Sequence, residues 1–168
     1  MIKPTINEQD IIIAANNGNE SFIKLIIQNI LQAIGGDLTN QNIRTLNVDQ
    51  ITLIAWNYLQ QEVDEGGYIQ LIYNNYADFL FKNPFITVID KWGVNSLAQQ
   101  LRKAKKLYFK NKDSIQKDMS DADFMALYER FPAFDLLDDD FIANEDVWIM
   151  QIAQYVDNNI DKFIEIIK

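Results

Sequence analysis

Asp118, Asp121, Asp123, Asp135, Asp138, Asp139, Asp140, Glu145 and Asp146 fall within 29 positions in the last third of the chain. Carboxylates at this density suit three tasks: holding a hard cation, moving a proton, or presenting a charged face to a basic partner. The cation reading fails on spacing. A calcium loop begun at Asp138 has Asp140 at its third position, but Ile142 at the fifth and Ala143 where glycine is required. Begun at Asp135, it meets Leu137 at the third.

The proton-transfer reading lacks its usual agents. The sequence has no histidine and no cysteine, which removes the common general base near neutral pH, thiolate metal sites, disulfides and both familiar nucleophile arrangements. No phosphate-cradling glycine loop or nucleophile elbow is present. A carboxylate-based, metal-dependent hydrolase is thus the weakest alternative, and no catalytic residue, metal or cofactor is assigned.

The charged face remains. Carboxylates three or four positions apart on a helix lie about 5–6 Å apart at Cβ, near the phosphate spacing of a nucleic-acid strand. Such a face suits a basic DNA-binding groove. Asp121, Asp123, Asp135, Asp138, Asp139, Asp140, Glu145 and Asp146 form the candidate partner-binding set. Within it, three adjacent carboxylates at 138–140 are not all expected to pair internally. A solvated acidic surface that only aids solubility is the other use of these residues.

The net charge of −9 is confined to this region. Residues 1–112 hold 10 acidic and 11 basic side chains, whereas residues 113–168 hold 14 and 4. An acidic third repels phosphates, so nucleic acid is not expected as its direct ligand. The expected partner is a basic protein, with a toxin or nuclease inhibited in immunity-protein fashion as the alternative. The run Arg102, Lys103, Lys105, Lys106, Lys110 and Lys112 suits a helix C-terminus. Alternatively it complements the acidic third, within one chain or across a homodimer.

The elements that must position these groups read as helical. With 168 residues, nearly half of them apolar, the chain can bury a substantial core. Ile23, Ile26, Ile27, Ile30, Leu31 and Ile34 follow a helical period, with Gly35 at the C-cap. Ile51, Ile54, Ala55, Tyr58 and Leu59 repeat it after Asn47 as N-cap, and Val94, Leu97, Ala98, Leu101, Ala104 and Tyr108 make a third stripe. Ser120 and Asp123 form a capping-box variant. Trp148, Ile149, Ile152, Tyr155 and Val156 predict a helix capped by Asn144, with Glu145 and Asp146 in its first turn. Ile160, Phe163, Ile164 and Ile167 predict a short closing helix. The isoleucine-rich pieces at 11–13 and 85–89 are the only places where short strands would be sought. The expected fold is all-α: a single compact domain, 1–168, of about eight helices. No apolar run is long enough for a secretory signal or a membrane span, so a cytoplasmic location is expected.

The stretch "EVDEGGYIQ", residues 62–70, interrupts this pattern. Glu62 continues the apolar stripe begun at Ile51, so its carboxylate needs donors. Gly66 and Gly67 supply a sharp corner, and a new helix is predicted from Tyr68 with Ile69, Ile72, Tyr73, Tyr76 and Leu80 on its apolar face. The first amides of that helix lack partners. Glu62 is expected to receive them, or the amide of Gln70, while Asp64 and Glu65 have the right sign for a helix N-terminus.

Glu62, Val63, Gly66, Gly67, Tyr68, Gln70 and Asn74 resemble the E-V-x-N-G-G-F-x-Q-x-x-x-N signature of a bacterial family of small helical proteins. Its best-known member is described as a double-stranded-DNA mimic that binds a transcription factor. The segments "VIDKWGVNSLAQQLRKA", "LLDDDFIANED" and "YVDNNIDKF" are similar to further parts of that family, so the resemblance covers roughly 47–165 and leaves 1–46 poorly matched. Asp64 and Glu65 stand where the family carries asparagines. The resemblance implies an all-helical fold and a protein-interaction role against a transcription factor or other DNA-binding protein.

Overall fold

A computed structural model describes residues 1–168. Eight α-helices dominate: α1 (Glu8–Asn16), α2 (Asn19–Ala33), α3 (Val48–Tyr73), α4 (Tyr76–Lys82), α5 (Phe85–Lys91), α6 (Asn95–Ile115), α7 (Asp121–Arg130) and α8 (Ala133–Asn158). Two three-residue strands, β1 (Thr5–Asn7) and β2 (Glu165–Ile167), pair in parallel. The all-α expectation holds. No helix is long and apolar enough to cross a membrane.

The helices gather into two compact units. Unit 1 comprises residues 1–54 and 146–168, and unit 2 comprises residues 55–145. In unit 1 the core is mainly aliphatic: Phe22, Ile23, Ile26, Ile27 and Ile30 of α2, and Trp148, Ile152 and Val156 of α8 are buried. Helix α2 ends as its sequence predicts, with Gly35 at φ +86 and the Gly36 amide donating to Leu31 O, a Schellman closure that only a left-handed residue permits. Helix α3 begins with a reciprocal cap. Asn47 Oδ1 accepts from the Gln50 amide at 2.9 Å, and Gln50 Oε1 accepts from the Asn47 amide at 3.0 Å. The fully buried Gln50 side chain then donates to both Ile2 O and Phe163 O. One amide thereby anchors the segments that lead into β1 and β2.

Three local expectations are corrected, and one minor alternative, strands in the isoleucine-rich pieces, is closed. Asn144 caps nothing, because α8 runs unbroken through it; Phe134, Leu137, Phe141 and Trp148 keep one buried stripe, and the Asn144 amide donates to Asp140 O one turn back. Residues 160–167 form no α-helix but a 3-10 turn, Ile160–Lys162, followed by β2. Pairing with β1 supplies backbone hydrogen bonds that sequence periodicity cannot reveal. The isoleucine-rich pieces at 11–13 and 85–89 are helical, in α1 and α5. Finally, the helix expected to run from Tyr68 through Leu80 breaks at Asn75, which takes φ +66, and resumes as α4.

Unit 2 is the more aromatic. Trp56 stacks near Phe141 with centroids 6.0 Å apart, Tyr68 meets the same ring edge-on at 6.3 Å, and Phe81 packs on Tyr108 at 5.4 Å. These rings come from both arms of α3, from α4, from α6 and from the first half of α8. They set the frame for the corner.

Candidate functional site: the glycine corner and the acidic helix

Helix α3 breaks at Gly66, which is non-helical (φ −158, ψ 16), and at Gly67, which takes φ +72. A positive φ costs an ordinary residue about 1–3 kcal/mol, so glycine belongs at 67. Space gives a second reason: a Cβ on Gly67 would overlap the Asp138 carboxylate, and one on Gly66 would overlap the Gln70 side chain. The break leaves backbone groups without helical partners. Two side chains from other helices take them. The Tyr68 amide donates to Asp138 Oδ1 at 2.9 Å, and the Tyr128 hydroxyl donates to Gly66 O at 2.7 Å.

The residues flanking the corner tie its two arms together. Glu62 Oε2 accepts from Asn74 Nδ2 at 2.7 Å and from Gln70 Nε2 at 3.3 Å. Gln70 Nε2 also lies 3.3 Å from Glu65 Oε2. Asp64 is exposed. Glu62 therefore serves side-chain amides, as one branch of the sequence reading allowed, and the backbone amide goes to Asp138 instead.

Behind the corner lies a buried polar relay. The Tyr68 hydroxyl donates to Gln100 Oε1 at 2.6 Å. Gln100, 2% exposed, passes its own amide to Leu137 O and to Asp140 Oδ2, both at 3.0 Å. Burial pushes the Tyr68 phenol well above its ordinary value, and the negative charges of Asp138 and Asp140 push the same way. Tyr68 stays protonated, as a donor to Gln100 must.

The acidic segment thus divides by direction. Asp138 is half-buried at the corner, and its carboxyl is raised to about 6. Burial is the main cause, the neighbouring charges of Asp135 and Asp139 add to it, and the Tyr68 amide opposes it. Asp140 serves Gln100 and also accepts from Asn144 at 3.1 Å. Glu145 accepts from Gln60 Nε2 at 2.7 Å. By contrast, Asp121, Asp135 and Asp139 are exposed. Asp123 is exposed too, but it closes the α7 capping box with Ser120 at 2.8 Å and 3.1 Å. Asp146, in unit 1, is exposed and lines an open groove of about 840 Å³ with α1 and α2. So of the three adjacent aspartates two pair internally, and Asp139 does not.

Sequence reasoning missed Tyr128 and Gln100 altogether. It also placed Asp138 with the outward acids, although Asp138 lies four positions after Phe134 and three before Phe141, both buried. That spacing put its carboxylate on the inner stripe.

The DMP19-like protein family matches residues 44–159 of this chain. The chain is also 30% identical over 129 residues to the DNA mimic protein DMP19 of Neisseria meningitidis serogroup B. That match covers 76% of this chain and 78% of the relative.

Two consequences can be measured. Gly67→Val should destabilise the protein by about 1–3 kcal/mol in chemical denaturation, because the side chain meets both a positive φ and Asp138. A variant as stable as the parent would contradict the corner geometry. Asp138→Asn keeps an acceptor for the Tyr68 amide and removes the desolvated charge. The folded carboxyl lies above its unfolded value of 3.8, so its favourable protonation is fully present below about pH 4 and lost as pH rises through about 6. The variant should match the parent near pH 4 and gain on the order of 1 kcal/mol near pH 7.5, a figure reduced for partial solvent screening. Equal loss at both pH values would show that the charge itself is needed.

Proposed function

Because this chain belongs to the DMP19-like family, we propose that it is a non-enzymatic DNA mimic. Its outward carboxylates occupy the DNA-binding surface of a basic cytoplasmic protein, such as a transcription factor. The observation that carries this reading is the division of the acids. Asp121, Asp135 and Asp139 are exposed and form no ion pair with a lysine or arginine. Asp135 and Asp139 lie four residues apart on one face of α8, so they present a charge repeat of about 6 Å along the helix. A rigid helix holds them there, which lowers the ordering cost of binding.

The same division favours interaction over acid–base chemistry. The one carboxyl with a raised value, Asp138, is held by the backbone of the corner. The remaining acids on this face are the exposed, steering kind, which raise association rates more than they stabilise a fold.

The test is competition. Immobilised protein incubated with a lysate of its native host should retain a DNA-binding protein that added duplex DNA releases, and whose association slows steeply with salt. Replacing Asp121, Asp135 and Asp139 together by Asn should weaken retention at least about tenfold while leaving the melting temperature unchanged or higher, since exposed acids contribute ~0–1 kcal/mol each. Retention that is indifferent both to duplex DNA and to these substitutions would overturn the reading.

A further inference from the structure

Beside the corner, and sharing Glu62 with it, unit 2 carries a concave feature that the outward acids do not use. It is a cleft of about 690 Å³ whose lining includes Glu62, Tyr73, Tyr76, Lys117 and Asp118. Its chemistry is specific. The Glu62 carboxylate is fixed from behind: Asn74 and Gln70 both donate to Oε2, and no protein donor reaches Oε1. Asp118 is exposed on the segment between α6 and α7. Two aromatic rings complete the lining, and each is braced by another ring. Tyr73 packs on Phe124 at 4.6 Å and Tyr76 on Tyr58 at 5.1 Å between centroids.

We infer that this cleft receives an arginine side chain of the bound protein, with its guanidinium between Glu62 and Asp118 and its plane against the tyrosine rings. A carboxylate fixed on one oxygen and open on the other accepts a guanidinium N–H without reordering. Aromatic faces add attraction for a planar cation, more for arginine than for lysine. Lys117 is the one cation in the lining and forms no ion pair. With it the lining carries two negative charges and one positive, which leaves a net charge of −1 for one incoming cation. The inference rests on the basic-partner reading and adds a site and a residue type to it. The outward acids steer by charge at long range, whereas this cleft selects one side chain by shape.

The full-length protein is titrated with acetyl-arginine amide while the side-chain amide signals of Gln70 and Asn74 are followed by NMR. These signals should shift and saturate. Acetyl-citrulline amide, neutral but nearly isosteric, should leave them in place, and acetyl-lysine amide should bind at least about threefold more weakly. Glu62→Gln keeps an acceptor for Asn74 and should weaken arginine binding at least about tenfold. Asp118→Asn, at an exposed position, should weaken it without altering melting, and Lys117→Ala should tighten it. Shifts that citrulline reproduces, or that survive both acid substitutions, would overturn the inference. The two readings fail separately. If Glu62→Gln leaves capture of the DNA-binding protein intact while the outward-acid variant abolishes it, the cleft is wrong and the mimic reading stands. If neither variant affects capture, the mimic reading falls, and the amide titration alone then decides the cleft.

Discussion

A single hydrogen bond, from the Tyr68 amide to Asp138, decides how much of unit 2 is arranged. Helix α3 cannot turn at Gly66–Gly67 without orphaning backbone groups, and such groups need partners where they are removed from solvent. The chain solves this by reaching across from α8 with a carboxylate and from α7 with a phenol. The same carboxylate fills the space that a Gly67 side chain would need. Corner and acid therefore constrain each other. Tyr68, once turned inward, brings a hydroxyl that needs an acceptor, and Gln100 meets it while passing its own donors to Leu137 and Asp140.

This arrangement gives the acidic helix two different faces. One works inward, where Asp138, Asp140 and Glu145 satisfy amides of α3 and α6. The other leaves Asp135 and Asp139 in solvent with nothing to neutralise them. Charge that carries no structural duty is free to be recognised, and a helix pinned from its inner face can present it in fixed register. A burial cost at Asp138 is thus offset by the geometry it enforces. The proposed partner, a protein with a basic surface, rests on family membership together with this charge placement.

Much of the fold was legible in the sequence for plain physical reasons. The apolar period of α2, the reciprocal cap of Asn47 and Gln50, the Ser120 box and the positive φ at Gly67 all follow from local rules. What failed was non-local. Strand β2 exists because β1 lies beside it, and no property of Glu165–Ile167 alone distinguishes it from a helix end. Asn144 reads as a cap, but the buried stripe from Phe134 to Trp148 carries α8 straight through it. The candidate site shows the same limit. Glu62, Gln70 and Asn74 were tied by spacing and resemblance, whereas Gln100 and Tyr128 come from distant helices with no local signal.

The most direct measurement of the central constraint is hydrogen exchange at the Tyr68 amide. In the parent protein this amide should exchange only through large-scale opening, like the core of unit 2. Asp138→Ala should accelerate it at least about tenfold relative to the Ile72 amide, while Asp139→Ala should leave it unchanged. A Tyr68 amide that exchanges at the same rate with and without the Asp138 carboxylate would contradict the account.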